Sequence, residues 1–207
     1  KQYCNGIDRS CWSCLSCKKA RTSLFCDGCG HLQPPSKVNL FEYVGLPTEF
    51  LINQLEVKKR LIELSTKLHP DKFPNASQRE KDLAEQHSRV LSSARLMLSD
   101  AVRRSRYIIQ LTKGGPIEVV DQDDNITESP PPEVLMEMFE LNVRVDEAST
   151  DEEKESIQNE IRMESEKIEK NISASLKEGD IPSAERNTSK LAYLQSISNR
   201  ISEKIRG

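Results

Sequence analysis

All six cysteines fall among the first 29 residues, at Cys4, Cys11, Cys14, Cys17, Cys26 and Cys29. Cys11-Trp12-Ser13-Cys14 and Cys26-Asp27-Gly28-Cys29 are two CxxC turns about a dozen residues apart. Each turn aims two sulfurs the same way, so the pair supplies four thiolates for a tetrahedral Zn²⁺. Four thiolates close the coordination sphere and leave no place for a reactive water, so the predicted site is structural. So short a segment cannot bury a core, and metal binding would supply most of its folding free energy, roughly 10–16 kcal/mol. The alternative chemistry for the same residues is thiol redox, but thioredoxin-type CxxC sits in a βαβ setting that is missing here. Cys14-Leu15-Ser16-Cys17 is a competing first turn; Cys11 with Cys14 is preferred, leaving Cys4 and Cys17 free. His31 is a weaker ligand candidate than any of the four thiols.

The second chemically pointed stretch is Lys67-Leu68-His69-Pro70-Asp71-Lys72-Phe73. Val57, Leu61, Leu64 and Leu68 form the stripe of an amphipathic helix that runs into it. Proline disfavours helical geometry before it and lacks an amide hydrogen, so a turn begins there. Leu83, His87, Leu91, Ala94 and Leu98 mark a second helix, with His87 on its apolar face as a core histidine. Lys58, Lys59, Arg60, Lys67 and Lys72 give the first of these helices and its loop a positive field, partly offset by Glu56 and Glu63. Such a field steers encounter with an acidic protein surface. Aromatic residues are not interleaved with it, which argues against a nucleic-acid patch.

These elements must be positioned by a chain of modest means. It has 207 residues, a net charge of −3, 30% charged residues, 36% hydrophobic and 5% aromatic. That composition suits small helical units rather than one thick sandwich or barrel, and no apolar run approaches the ~18 residues of a membrane span. Pro34 and Pro35 stiffen a linker after the cysteines. Gly114-Gly115-Pro116 and Pro130-Pro131-Pro132 bracket a second linker. The predicted division is a zinc knuckle with its linker over 1–37, a helical unit over 38–113, a linker over 114–132 and a helical domain over 133–207. Three helices are predicted in the last, near 133–148, 151–178 and 182–206. Its stripes are Leu135/Met136/Phe139/Val143, Ile157/Ile161/Ile168/Ile172 and Leu191/Leu194/Ile197/Ile201/Ile205, and short connections favour an up-down bundle. Periodicity reads all of these as core; Met136 and Phe139, with Glu140 beside them, also fit an exposed docking patch.

Two helices joined by His69-Pro70-Asp71 resemble a J-domain. Asn39 to Pro47, Arg104 to Leu111 and Val134 to Leu141 resemble, in that order, three segments of the HscB (heat shock cognate B) subfamily, and the paired CxxC turns resemble its eukaryotic, mitochondrial branch. The resemblance implies an all-α chain, with a J-domain hairpin, a C-terminal three-helix bundle and a small Cys4 zinc knuckle. It implies a co-chaperone, not an enzyme; the chain has no GxxxxGK[ST] phosphate loop. His69, Pro70 and Asp71 would stimulate the ATPase of a DnaK-type, mortalin-like chaperone, with Lys58, Lys59, Arg60, Lys67 and Lys72 alongside. Leu135, Met136, Phe139, Glu140, Val143 and Tyr193 would bind the iron–sulfur cluster scaffold protein. Val143 departs from an acidic residue of bacterial relatives, and Tyr193 stands where an aromatic is expected. The resemblance further implies the mitochondrial matrix, a cytosolic pool staying open. Lys1 opens no arginine-rich presequence, so any transit peptide is absent from this chain. Self-association through the knuckle stays open; nucleic-acid and membrane partners are not expected. The alternative function is a zinc-ribbon J-protein in RNA processing, binding through Lys18, Lys19 and Arg21.

Overall fold

The computed structural model describes residues 10–15, 23–69, 77–115 and 132–206. Pro70, Asp71 and Lys72 lie outside them, as do Cys4, Cys17, Lys18, Lys19, Arg21 and most of the second linker. Seven helices occur among the described residues: α1 (Leu40–Val44), α2 (Gln54–Lys67), α3 (Gln78–Ser99), α4 (Ala101–Thr112), α5 (Pro132–Glu147), α6 (Asp151–Glu178) and α7 (Ile181–Arg206). An isolated antiparallel bridge pairs Phe25 with Leu32. No described helix is long and apolar enough to cross a membrane.

The first compact unit holds the cysteine turns with α1, α2 and α3. Helix starts follow local chemistry: the Asn39 and Asn53 side chains accept from the free amides of α1 and α2. Gly45 closes α1 in the left-handed region at φ 77°, where a side chain would be strained. Val57, Leu61 and Leu68 are buried along α2, as are Leu83, His87, Leu91, Ala94 and Leu98 along α3. With Phe41, Tyr43 and Val44 of α1 they make the core of the hairpin.

The second unit is built from α4 to α7, with residues 49–51 joined to it. The sequence reading ends the middle unit at 113, yet α4 belongs to this second unit. The reason is its burial: Val102, Arg104, Ser105, Tyr107, Ile108 and Ile109 are all withdrawn from water, too much surface to cover unless α4 packs against α6 and α7. Arg104 donates to the Phe50 carbonyl at 2.7 Å, with its guanidinium over the Phe50 ring. α6 opens with a reciprocal capping box between Thr150 and Glu153. It turns into α7 across Gly179, whose φ of 77° suits the left-handed cap. Ile157, Ile161, Ile168 and Ile172 meet Leu191, Leu194, Ile197 and Ile201 inside the bundle. α5 lies along α7 through Lys190 to Glu137 and Lys204 to Asp146, both at 2.7 Å, contacts whose order makes the two helices parallel.

Candidate functional site

The four expected metal ligands come together. One sulfur atom from each of Cys11, Cys14, Cys26 and Cys29 lies within 4.8 Å of every other. Sγ of Cys11 is 3.6 Å from that of Cys29, and Sγ of Cys14 is 3.6 Å from that of Cys26. A tetrahedron of sulfurs around zinc at ~2.3 Å has edges near ~3.8 Å, whereas a disulfide needs ~2.05 Å. The spacing therefore fits a shared cation and not a bonded pair.

The two turns are built alike. Ser13 N–H donates to Sγ of Cys11 and Gly28 N–H to Sγ of Cys26, both at 3.3 Å. Leu15 N–H closes the first turn on the Cys11 carbonyl at 3.0 Å, and Gly30 N–H closes the second on the Cys26 carbonyl at 2.8 Å. Both closing residues have positive φ, 61° for Leu15 and 75° for Gly30. Burial works to raise the Cys11 thiol, but the amides of Cys14 and Ser13 outweigh it and hold it below its usual value. For Cys29 the His31 amide lowers the thiol; burial and the other three sulfurs more than reverse this, to about 12. Four thiolates at this spacing need a cation to share their charge.

Around the quartet stand residues that carry no ligand atom. Buried Gln33 donates through Nε2 to Sγ of Cys11 at 3.3 Å and to the His31 carbonyl at 2.9 Å. The Gln33 carbonyl in turn accepts from Nε2 of His87 at 2.8 Å. With Nε2 carrying the hydrogen, Nδ1 of the neutral ring accepts from the Tyr43 hydroxyl at 2.5 Å. Burial pushes the Tyr43 phenol well above its ordinary range, keeping it a donor. His87 is thus the core histidine its position on α3 predicts. Trp12 donates to the Leu32 carbonyl at 2.7 Å, meets His31 edge-on, and lies 4.5 Å beneath the Arg79 guanidinium. Gln33, Trp12 and Arg79 were not singled out from sequence. Trp12 between two ligands was the available signal; nothing in a Pro-rich stretch marks Gln33.

At the turn end of the hairpin, His69 is exposed just past the C-cap of α2 at Leu68. Lys58, Lys59, Arg60 and Lys67 are exposed on α2. Arg60 is engaged by Glu56 at 3.9 Å and Glu63 at 3.6 Å, so its charge is offset as the sequence suggests.

In the second unit, α5 has two apolar faces. Val134, Met138 and Val145 point into the bundle. Leu135, Met136, Phe139 and Val143 do not: they are 41%, 68%, 68% and 37% exposed. Glu140 is exposed beside them, and Tyr193 is half-buried on α7, three residues beyond Lys190. Burial works against the Lys190 ammonium, but Glu137 and Glu164 hold it above its usual value, so this pairing fixes α5 against its neighbours.

A helical hairpin behind a cysteine quartet, followed by a bundle with an open apolar face, has counterparts among known proteins. Residues 130–202 match the family model described as the HSCB C-terminal oligomerisation domain. Over 198 residues the chain is 27% identical to the iron–sulfur cluster co-chaperone protein HscB of Mus musculus, covering 94% of this chain and 82% of that one. The crystal structure of human co-chaperone HscB superimposes with a TM-score of 0.79 at 24% identity, covering 94% of this chain and 98% of that one. HscB from Vibrio cholerae gives 0.68 at 22% identity, covering 82% and 98%. The chain is similar over most of its length to HscB co-chaperones, and its all-helical fold is that of the HscB structures. Its relatives are named co-chaperones rather than enzymes.

Proposed function

We propose that this chain captures an iron–sulfur cluster scaffold protein on α5 and presents it to a DnaK-type, mortalin-like chaperone whose ATPase it stimulates. The observation that carries this reading is the exposed row Leu135, Met136, Phe139 and Val143. A helix that already has a buried face gains nothing for its own stability from a second apolar face, and contiguous apolar surface of this kind serves association. Glu140 and Tyr193 flank it with a charge and a ring that orient a partner. His69, Pro70 and Asp71 act on the chaperone, with Lys58, Lys59, Arg60, Lys67 and Lys72 attracting its acidic surface. The imidazole and carboxylate do no chemistry on ATP; they are recognised by the chaperone that does.

The quartet takes one structural Zn²⁺, for which four sulfur donors at tetrahedral spacing are the natural set. The likeness to mammalian and plant relatives favours the mitochondrial matrix as the place of work. Two measurements test the reading. A Leu135/Met136/Phe139→Ser variant loses pull-down of the scaffold while its helical content stays unchanged; full retention would put the docking surface elsewhere. A His69→Gln variant binds scaffold normally but no longer stimulates the chaperone ATPase; unchanged stimulation would sink the assignment of the loop.

A further inference from the structure

The quartet touches α3 at two separate places, and each contact runs through a residue whose position the cysteine turns set. One is Gln33, whose side chain donates to Sγ of Cys11 and whose carbonyl takes the hydrogen of His87. The other is Trp12, between Cys11 and Cys14, with its indole locked by the Leu32 carbonyl and the Arg79 guanidinium stacked on its face. Arg79 sits in the first turn of α3 and His87 eight residues on, about 12 Å along the axis. A helix held at one point can pivot; held at two it cannot rotate about either. α3 is the helix that follows His69-Pro70-Asp71 in the chain.

We propose that the metal-loaded quartet is a clamp on α3, and that Gln33 and Arg79 are the positioning residues through which it acts. The proposal rests on reading the quartet as a zinc site. A metal-bound thiolate is a charged acceptor for the Gln33 amide, whereas a protonated thiol is a weak one. Loss of the ion removes that acceptor and loosens the turn that holds Trp12 under Arg79. Zinc occupancy is thereby felt in the hairpin, although no residue of α3 ligates the metal.

The full chain, stripped with chelator under reductant and then reloaded with Zn²⁺, provides the test. Zinc per chain is measured by metal analysis and backbone amide exchange is followed in parallel. Reloading slows exchange from Leu83 to Leu91 by about tenfold, the size expected for a charge-assisted hydrogen bond regained. Exchange between Ile161 and Ile168 of α6 is unchanged. In Gln33→Met/Arg79→Ala, zinc still binds at one equivalent but the response in α3 disappears. Should the Gln33 substitution unfold the knuckle, Arg79→Ala alone decides: it loses the response at the Leu83 end of that stretch, and Arg79→Lys, which keeps a cation over the ring, restores it. Zinc at one equivalent with α3 exchange changed by less than about twofold overturns the clamp and leaves the metal site standing. Absence of bound zinc overturns both.

Discussion

The hydroxyl of Ser105 on α4 donates to the hydroxyl of Thr188 on α7 at 2.6 Å, inside the second unit. The direction is settled by Thr188, whose single hydroxyl hydrogen goes to the Ala184 carbonyl, also at 2.6 Å. Thr188→Val keeps the shape and leaves the Ser105 hydroxyl buried without its acceptor. That variant is expected to lose about 1–3 kcal/mol of stability by urea unfolding. Ser105→Ala/Thr188→Val recovers part of the loss, since neither partner is then left wanting. A double variant as unstable as the sum of the singles would mean the two hydroxyls do not interact.

The two faces of α5 separate stability from binding. Met138→Ala, at 3% exposure, should cost about 2–5 kcal/mol as a core truncation. Phe139→Ala, one residue on and 68% exposed, should leave the melting temperature almost unmoved while weakening scaffold capture. Thermal melts and a binding titration on the two variants check this directly; a large stability loss for Phe139→Ala would mean that its ring is core.

Leu15 occupies a backbone conformation that glycine takes in the matching turn at Gly30. Holding an L-residue at positive φ costs roughly 1–2 kcal/mol. Leu15→Gly should therefore tighten zinc binding in a chelator competition by up to about tenfold. Weaker binding would show that the Leu15 side chain contributes contacts outweighing the strain.

Arg144 and Glu160 join α5 to α6 through two hydrogen bonds, at 3.0 and 2.6 Å. The guanidinium hydrogen bonds hold the Glu160 carboxyl below its ordinary range, overcoming the effect of burial in the other direction. A carboxyl depressed in the folded state stabilises at pH above its unfolded value, and that contribution fades as pH falls through the folded one. Both groups are half exposed, so the pair is worth at most about 1 kcal/mol. The melting temperature of Glu160→Gln should lie below that of the wild type at pH 7 and meet it in the acid range. A gap that persists at acid pH would point to packing instead of charge.

Much of the fold is legible in the sequence because burial on a helix is written in its period. The five residues read as one stripe of α3 are the five buried ones, and the isoleucines of α6 behave the same way. Cysteine spacing likewise marked the quartet that the fold closes. What periodicity does not carry is the identity of the partner that covers a stripe. α4 is amphipathic, and nothing in its pattern says that Ser105 will meet Thr188, eighty-three residues away. On α5 the row 135, 136, 139 and 143 is as regular as the buried set beside it, so only packing tells core from open face. Gln33 was illegible for another reason: its role uses a backbone carbonyl and an amide, groups that every glutamine has.

The turn at Gly179 and Asp180 has a kinetic consequence. It joins the 28 residues of α6 to the 26 of α7 through two residues, so the pair can zip outward from its bend with little loop-closure entropy to overcome. Contacts near the bend are local in the chain, and each one shortens the search for the next. The bundle that carries the exposed row of α5 can therefore assemble from its own helices at the pace of a hairpin, whereas a knuckle that folds around a bound ion would first have to meet one.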